Sequence, residues 1–87
     1  MSLETYRKEL DEIDAKLVET LAKRFEIVKE IWKYKKENNI QILQKWRWQK
    51  VLDSAIEQGT KLWLSKEIIE DIWNRIHEES LRLEEKE

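Results

Sequence analysis

Apolar residues recur along the first part of the chain at alternating spacings of three and four residues. The series runs Leu3, Tyr6, Leu10, Ile13, Leu17, and then Ile27, Ile31 and Tyr34. This spacing predicts one long helix over about residues 2 to 38, with Ser2 as its N-cap. At ~1.5 Å per residue such a helix would be roughly 55 Å long, more than one small chain can cover. We therefore expect a second chain to cover its apolar face.

The rest of the chain predicts two shorter helices. Residues 39 to 45 are expected to form a loop, and a second helix is predicted over about 46 to 58. Gly59, the one glycine of the chain, is expected to end that helix. Ser65 is a suitable N-cap for a third helix over about residues 65 to 85. The 87 residues are thus predicted to form a single all-α domain with long, short and medium helices.

Composition excludes several classes of function. Lysine and arginine number 17 against 19 aspartate and glutamate, so the charge balance gives no reason to expect nucleic acid as a partner. No apolar run approaches the ~20 residues that cross a membrane, and the N-terminal residues do not form a signal peptide. We therefore expect a cytoplasmic protein. With no cysteine and one histidine, neither disulfides nor a metal site is expected.

Four polar residues fall at or beside the apolar stripes. Arg24 lies on the stripe of the first helix, and Lys35 follows about 20° around the helix and roughly 16 Å further along it. Ser80 occupies a stripe position of the third helix, with Glu84 one turn beyond. Both cations could point into one cavity. The structural alternative is that Arg24 pairs with a glutamate, Lys35 is solvated and Ser80 bonds to a helical carbonyl.

Three segments carry a resemblance to a known family. They are LETYRKELDEIDAKLVETLAKR at 3–24, KEIWKYKKENNI at 29–40 and IHEESLRLE at 76–84. With this helix order and spacing, the chain resembles the AroQ class of all-helical chorismate mutases. The resemblance implies an intertwined homodimer that converts chorismate to prephenate. This rearrangement is pericyclic and proceeds in the family without a cofactor or a metal.

The resemblance also implies roles for particular residues. Arg24 and Arg7 would hold the two carboxylates of chorismate, with Arg7 supplied by the partner chain. Lys35 would donate to the ether oxygen, which gains negative charge as its bond breaks. Arg47 would contact a carboxylate or orient the pocket, and Ser80 would contact the substrate.

Several positions depart from the family pattern. Glu84 stands where many members have a glutamine donor, so the site would work best with this carboxyl protonated. Gln44 replaces the acidic residue that binds the substrate hydroxyl, and Trp48 replaces the glutamate that follows. We therefore expect weakened or lost activity, with Trp48 a candidate to fill the pocket. His77 lies one position from the stripe of the third helix, so it could border the pocket, and it is interpreted as structural rather than catalytic.

Five tryptophans in a chain of this length form its most unusual feature. Three interpretations remain open: scattered surface aromatics, a reshaped pocket for another apolar ligand, or a protein-binding patch. The patch would combine Leu43, Trp46 and Trp48 with Trp32 or Trp63. Together with the altered loop, it indicates an engineered variant of the family scaffold, whose alternative function would be protein–protein binding or assembly.

Overall fold

The protein, described here by a computed structural model for residues 2–41 and 45–84, consists of three α-helices. They are α1 (Leu3–Glu37), α2 (Lys45–Lys61) and α3 (Lys66–Glu84). No strand occurs in those two described ranges, so the predicted all-α class with long, short and medium helices is confirmed.

Capping groups fix both ends of α1. The Ser2 side chain accepts a hydrogen bond from the backbone N–H of Thr5 at 3.2 Å, which confirms the predicted N-cap. At the other end Asn39 has a positive φ of 54°, and the N–H of Ile40 bonds to the carbonyl of Lys35 at 2.9 Å. This left-handed turn satisfies a carbonyl that would otherwise lack a partner at the helix end.

The prediction that Gly59 ends the second helix is wrong, because α2 continues to Lys61. Gly59 is buried inside the helix, where a Cβ atom would lie 2.7 Å from Cδ1 of Ile69. Glycine therefore serves the close approach of α2 to α3. The helix ends instead through a 3.0 Å bond from the N–H of Leu64 to the Gly59 carbonyl, with Trp63 at a φ of 67°.

The third helix begins after the predicted N-cap and is the central element of the fold. The Ser65 hydroxyl accepts from the backbone N–H of Ile68 at 3.2 Å, which confirms its capping role. Helix α3 packs against both α1 and α2. All of the buried residues in the described ranges belong to α2 or α3: Ala55, Gly59, Ile69, Ser80 and Leu83. The core therefore lies between these two helices.

The apolar stripe of α1 remains largely uncovered within one chain. Leu10 is 58% exposed and Leu17 is 63% exposed, and no residue of α1 is fully buried. The chain is accordingly elongated, with extents of 55 × 24 × 15 Å. No helix in the described ranges is both long enough and apolar enough to span a membrane.

Candidate active site

A cavity of about 350 Å³ lies where the three helices meet. Its polar and aromatic lining comes from all three helices: Arg24, Trp32 and Lys35 from α1, Arg47 and Trp48 from α2, and His77 and Ser80 from α3. The remaining lining is aliphatic and consists of Val28, Ile31, Val51 and Leu81. The cavity thus combines apolar walls with polar groups at a few fixed points, as small-molecule sites commonly do.

Three cations line this cavity. Arg24 and Lys35 approach from α1 and Arg47 from α2, whereas none of the described aspartates or glutamates lines it. Burial, and then the positive charge of Arg47, lowers the pKa of the half-buried Arg24. An arginine remains charged despite such a shift, so the cavity holds positive charge that a bound anion would neutralise. Arg24 and Lys35, which the sequence suggested could point into one cavity, both line this one.

The alternative pairing of Arg24 with a glutamate does not occur in the described ranges, where the ion pairs involve other residues. A half-buried cation without an anion is costly unless something compensates its charge. The arrangement therefore favours a ligand that carries negative charge. A carboxylate suits the planar guanidinium group because both oxygens can be bound at once.

Trp32 connects α1 to α3 at the edge of the cavity. Its indole N–H donates to the backbone carbonyl of Ser80 at 2.7 Å, and the ammonium group of Lys35 lies 4.9 Å from its ring centroid. The Ser80 hydroxyl in turn donates to the carbonyl of Ile76 at 2.9 Å. The back-bonding alternative for Ser80 is therefore observed, although its side chain also lines the cavity.

Trp48 forms one wall of the cavity together with His77. The two rings are stacked, with centroids 4.0 Å apart and an interplanar angle of 12°. The cavity of about 350 Å³ lies beside this pair, so the indole does not occupy the whole space. Burial, followed by the charge of Arg24, lowers the pKa of His77, and the neighbouring Glu78 opposes the shift.

His77 lines the cavity, which its position beside the stripe of the third helix allowed, although the sequence interpretation favours a structural role for it. The spacing of residues on α3 supports this position. His77 precedes Ser80 by three residues and Leu81 by four, so the three side chains share a face of α3. Its partner Trp48 lies on another helix, and no sequence pattern indicates that the two rings stack.

Two other residues with predicted roles do not line the cavity. Arg7, near the start of α1, forms an exposed ion pair with Glu4 at 3.0 Å. Glu84 is the last residue of α3 and is absent from the cavity lining. Gln44, the predicted hydroxyl contact, lies outside the described residues, as does Leu43.

The tryptophans of the predicted patch occupy different environments. Trp32 and Trp48 line the cavity, whereas Trp46 is 66% exposed and Trp63 is 96% exposed. Trp46 is the second residue of α2 and Trp63 follows its end, so they stand roughly 25 Å apart along the helix axis. The described tryptophans therefore do not form one continuous surface within a single chain.

Comparison with known proteins places this architecture in a family. A family profile described as chorismate mutase type II matches residues 6–85, nearly the whole chain. The chain belongs to the chorismate mutase type II family. This membership agrees with its all-α architecture and with the segments that carry the AroQ resemblance.

Two curated relatives are longer proteins that match this chain over part of their length. The T-protein of Haemophilus influenzae is 30% identical over 79 residues, which cover 91% of this chain and 21% of that protein. The bifunctional chorismate mutase/prephenate dehydratase of Buchnera aphidicola is 38% identical over 85 residues, which cover 98% of this chain and 22% of that protein. The chain thus spans about a fifth of the length of these relatives. No solved structure matches it significantly.

Proposed function

We propose that this chain catalyses the rearrangement of chorismate to prephenate in the cavity between its helices. The observation that supports this most directly is the convergence of Arg24, Lys35 and Arg47 on a cavity that no described carboxylate lines. Chorismate carries two carboxylates and an ether oxygen that becomes more negative in the transition state. Family membership supports the same substrate.

The proposed mechanism assigns each cation a separate task. Arg24 binds a substrate carboxylate through its guanidinium fork, and Arg47 binds a carboxylate or orients the pocket. Lys35 donates to the ether oxygen, where negative charge develops as the C–O bond lengthens. The reaction needs no group transfer to the protein, so the residues contribute positioning and electrostatic stabilisation. Ser80, which also lines the cavity, contacts the substrate.

The proposed assembly is an intertwined homodimer in which Arg7 completes the site of the partner chain. Arg7 precedes Arg24 by 17 positions on the same helix, roughly 25 Å along its axis, so it cannot reach the cavity of its own chain. The exposed apolar stripe of α1 supplies the surface that a second copy would cover. Dimer formation would therefore serve both stability and catalysis.

We further propose that activity is weaker than in family members that keep the acidic pair of this loop. Trp48 has no carboxylate to offer a substrate hydroxyl, and Gln44 is a weaker acceptor than an ionised aspartate. Glu84 stands where many family members have a glutamine donor, and a carboxylate beside the ether oxygen would repel the charge that develops there.

A direct assay tests the proposed activity. Chorismate consumption by the purified chain should exceed the uncatalysed rate at pH 5 or pH 7.5, and Arg24→Ala should remove most of that excess. Lys23→Ala is the matched control because Lys23 neighbours Arg24 but is exposed and pairs with Glu19 at 3.4 Å. Consumption at the background rate at both pH values rejects the enzymatic proposal.

A second candidate is that the chain is an engineered scaffold that binds a protein through exposed tryptophans. The exposure of Trp46 at 66% and Trp63 at 96% favours it, because neither indole is stabilised by burial within the chain. Leu43, which lies outside the described residues, is proposed to belong to the same contact as Trp46, and Trp63 would form a separate contact. Replacing Trp46 and Trp63 by glutamine should then abolish assemblies larger than the homodimer, as measured by sedimentation, while chorismate turnover is unchanged. Identical sedimentation of both forms argues against this candidate.

A further inference from the structure

We propose that the His77 imidazole, held against Trp48, accepts a hydrogen bond from the ring hydroxyl of the substrate. This inference rests on the proposed mutase activity of the same cavity. It assigns to His77 the contact for which the family pattern uses carboxylates at the positions of Gln44 and Trp48. His77 would thereby determine specificity for a hydroxylated substrate.

The donor and acceptor inventory of the cavity leads to this residue. A hydroxyl that gives up its water on binding needs an acceptor for its proton, because a donor left without a partner is costly. Arg24, Lys35 and Arg47 have donors only. The Trp32 indole is also a donor, and it is already bonded to the Ser80 carbonyl. Among the cavity side chains that the structure describes, only Ser80 and His77 therefore have acceptor capacity.

Of these two acceptors, His77 is the better placed. Ser80 is only 8% exposed, and the bond that its hydroxyl donates to the Ile76 carbonyl at 2.9 Å holds its oxygen close to its own helix. The His77 ring meets Trp48 face to face at 4.0 Å and 12°. Stacking occupies the ring faces and leaves both nitrogens, which lie on the ring edge, available for hydrogen bonds. Trp48 therefore acts as a positioning residue that fixes the plane of the imidazole.

The charges around His77 favour the form that can accept a hydrogen bond. Arg24 and Lys35 on α1 and Arg47 on α2 line the same cavity, and all three are cations. Glu78, on α3 itself, is the one described anion that acts on this imidazole, and its effect is smaller than those of burial and Arg24. A neutral imidazole has one bare nitrogen, whereas a protonated ring has none. The surrounding cations thus favour the neutral form of His77, which can accept a hydrogen bond in a cavity whose charged groups are all donors.

A comparison of two substrates tests this contact. The probes are chorismate and its analogue with hydrogen in place of the ring hydroxyl. The wild-type chain should prefer chorismate by about tenfold in kcat/KM, the usual effect of one neutral hydrogen bond. His77→Phe, which keeps an aromatic ring against Trp48, should lose this preference, and His77→Gln should recover part of it through its amide oxygen. An unchanged preference in His77→Phe overturns the proposal.

Two control variants separate His77 from the competing acceptors. Ser80→Ala and Gln44→Ala should both keep the preference for the hydroxylated substrate. Loss of the preference in either variant, with His77→Phe unaffected, would assign the contact to that residue instead. The preference should also decline as the pH falls through the lowered pKa of His77, and this limb should be missing in His77→Phe.

A binding measurement keeps the test independent of turnover. His77 is the one histidine of the chain, so its ring-proton NMR signals need no assignment. Chorismate should shift these signals more than the analogue without the hydroxyl. A hydroxyl-dependent shift without chorismate consumption would reject the proposed function and retain the contact. Equal shifts, or none, overturn the contact, whether or not chorismate is consumed.

Discussion

Replacing Gly59 by alanine tests whether this glycine serves the close approach of α2 to α3. In an exposed helix interior this change would stabilise the helix by about 1 kcal/mol, because glycine is the poorer helix former. In this chain the new Cβ would lie 2.7 Å from Cδ1 and 2.8 Å from Cγ1 of Ile69. Both separations are shorter than carbon atoms tolerate, so the neighbouring side chain or the helix must move.

The surroundings decide which effect dominates. Ile69 is only 4% exposed, so its side chain has little free space to occupy. Overpacking of this kind costs about 1–3 kcal/mol, which exceeds the gain in helix propensity. We therefore expect Gly59→Ala to lower the free energy of unfolding by about 1 kcal/mol net. For a domain of this size that corresponds to a decrease in Tm of roughly 4–8 °C.

Urea unfolding followed by circular dichroism measures this change, at one fixed chain concentration because a dimer would make stability concentration-dependent. The matched control is Ile69→Val, which removes the nearer of the two contacting atoms and should cost about 1 kcal/mol by itself. In the double variant part of the clash disappears, so its loss should be smaller than the sum of the single losses by at least about 0.5 kcal/mol. A Gly59→Ala chain as stable as the wild type would refute the close-packing explanation.

Three further predictions concern the site. Trp32→Phe should lower the free energy of unfolding by about 1 kcal/mol through loss of the bond to the Ser80 carbonyl, and unchanged urea unfolding would contradict this. Because the folded state lowers the pKa of His77 from 6.5, the unfolded chain binds the proton more readily, so stability should fall as pH decreases through the window just below that value. His77→Phe should flatten this slope in urea titrations at successive pH values, and an identical slope would show that other groups cause it. Finally, mixing inactive Arg7→Ala and Arg24→Ala chains should restore activity in about a quarter of the sites, because a mixed dimer has one site with both arginines; no recovery after co-refolding argues against a site shared between chains.

The sequence predicts those features of the fold that depend on local interactions. The period of the apolar residues indicates three helices because each helix presents one face to its neighbours. Ser2 and Ser65 are recognisable caps because the bond of each runs to a backbone N–H three residues away. The convergence of Arg24 and Lys35 was likewise accessible, since both lie on one face of a single helix.

The features that depend on contacts between helices could not be predicted. Gly59 resembles a helix terminator in sequence, and only the position of Ile69 reveals that it permits close packing. His77 resembles a structural histidine until Trp48, 29 positions earlier and on another helix, is seen stacked against it. Trp63 ends α2 in a left-handed conformation that glycine usually adopts. Nothing in the structure explains why a tryptophan stands there.

Stability and the proposed catalysis would be linked in this chain through α1. The helix contributes Arg24 and Lys35 to the cavity, yet among the described residues it packs on α3 alone, and none of its side chains is buried. Leu10 and Leu17, both more than half exposed, therefore add little to the stability of an isolated chain. If a second copy covers them, the free energy gained there also holds the two cations against α2 and α3. The same contact would bring Arg7 to the neighbouring site, so a chain that cannot associate should lose both the rigidity and the full charge of its cavity.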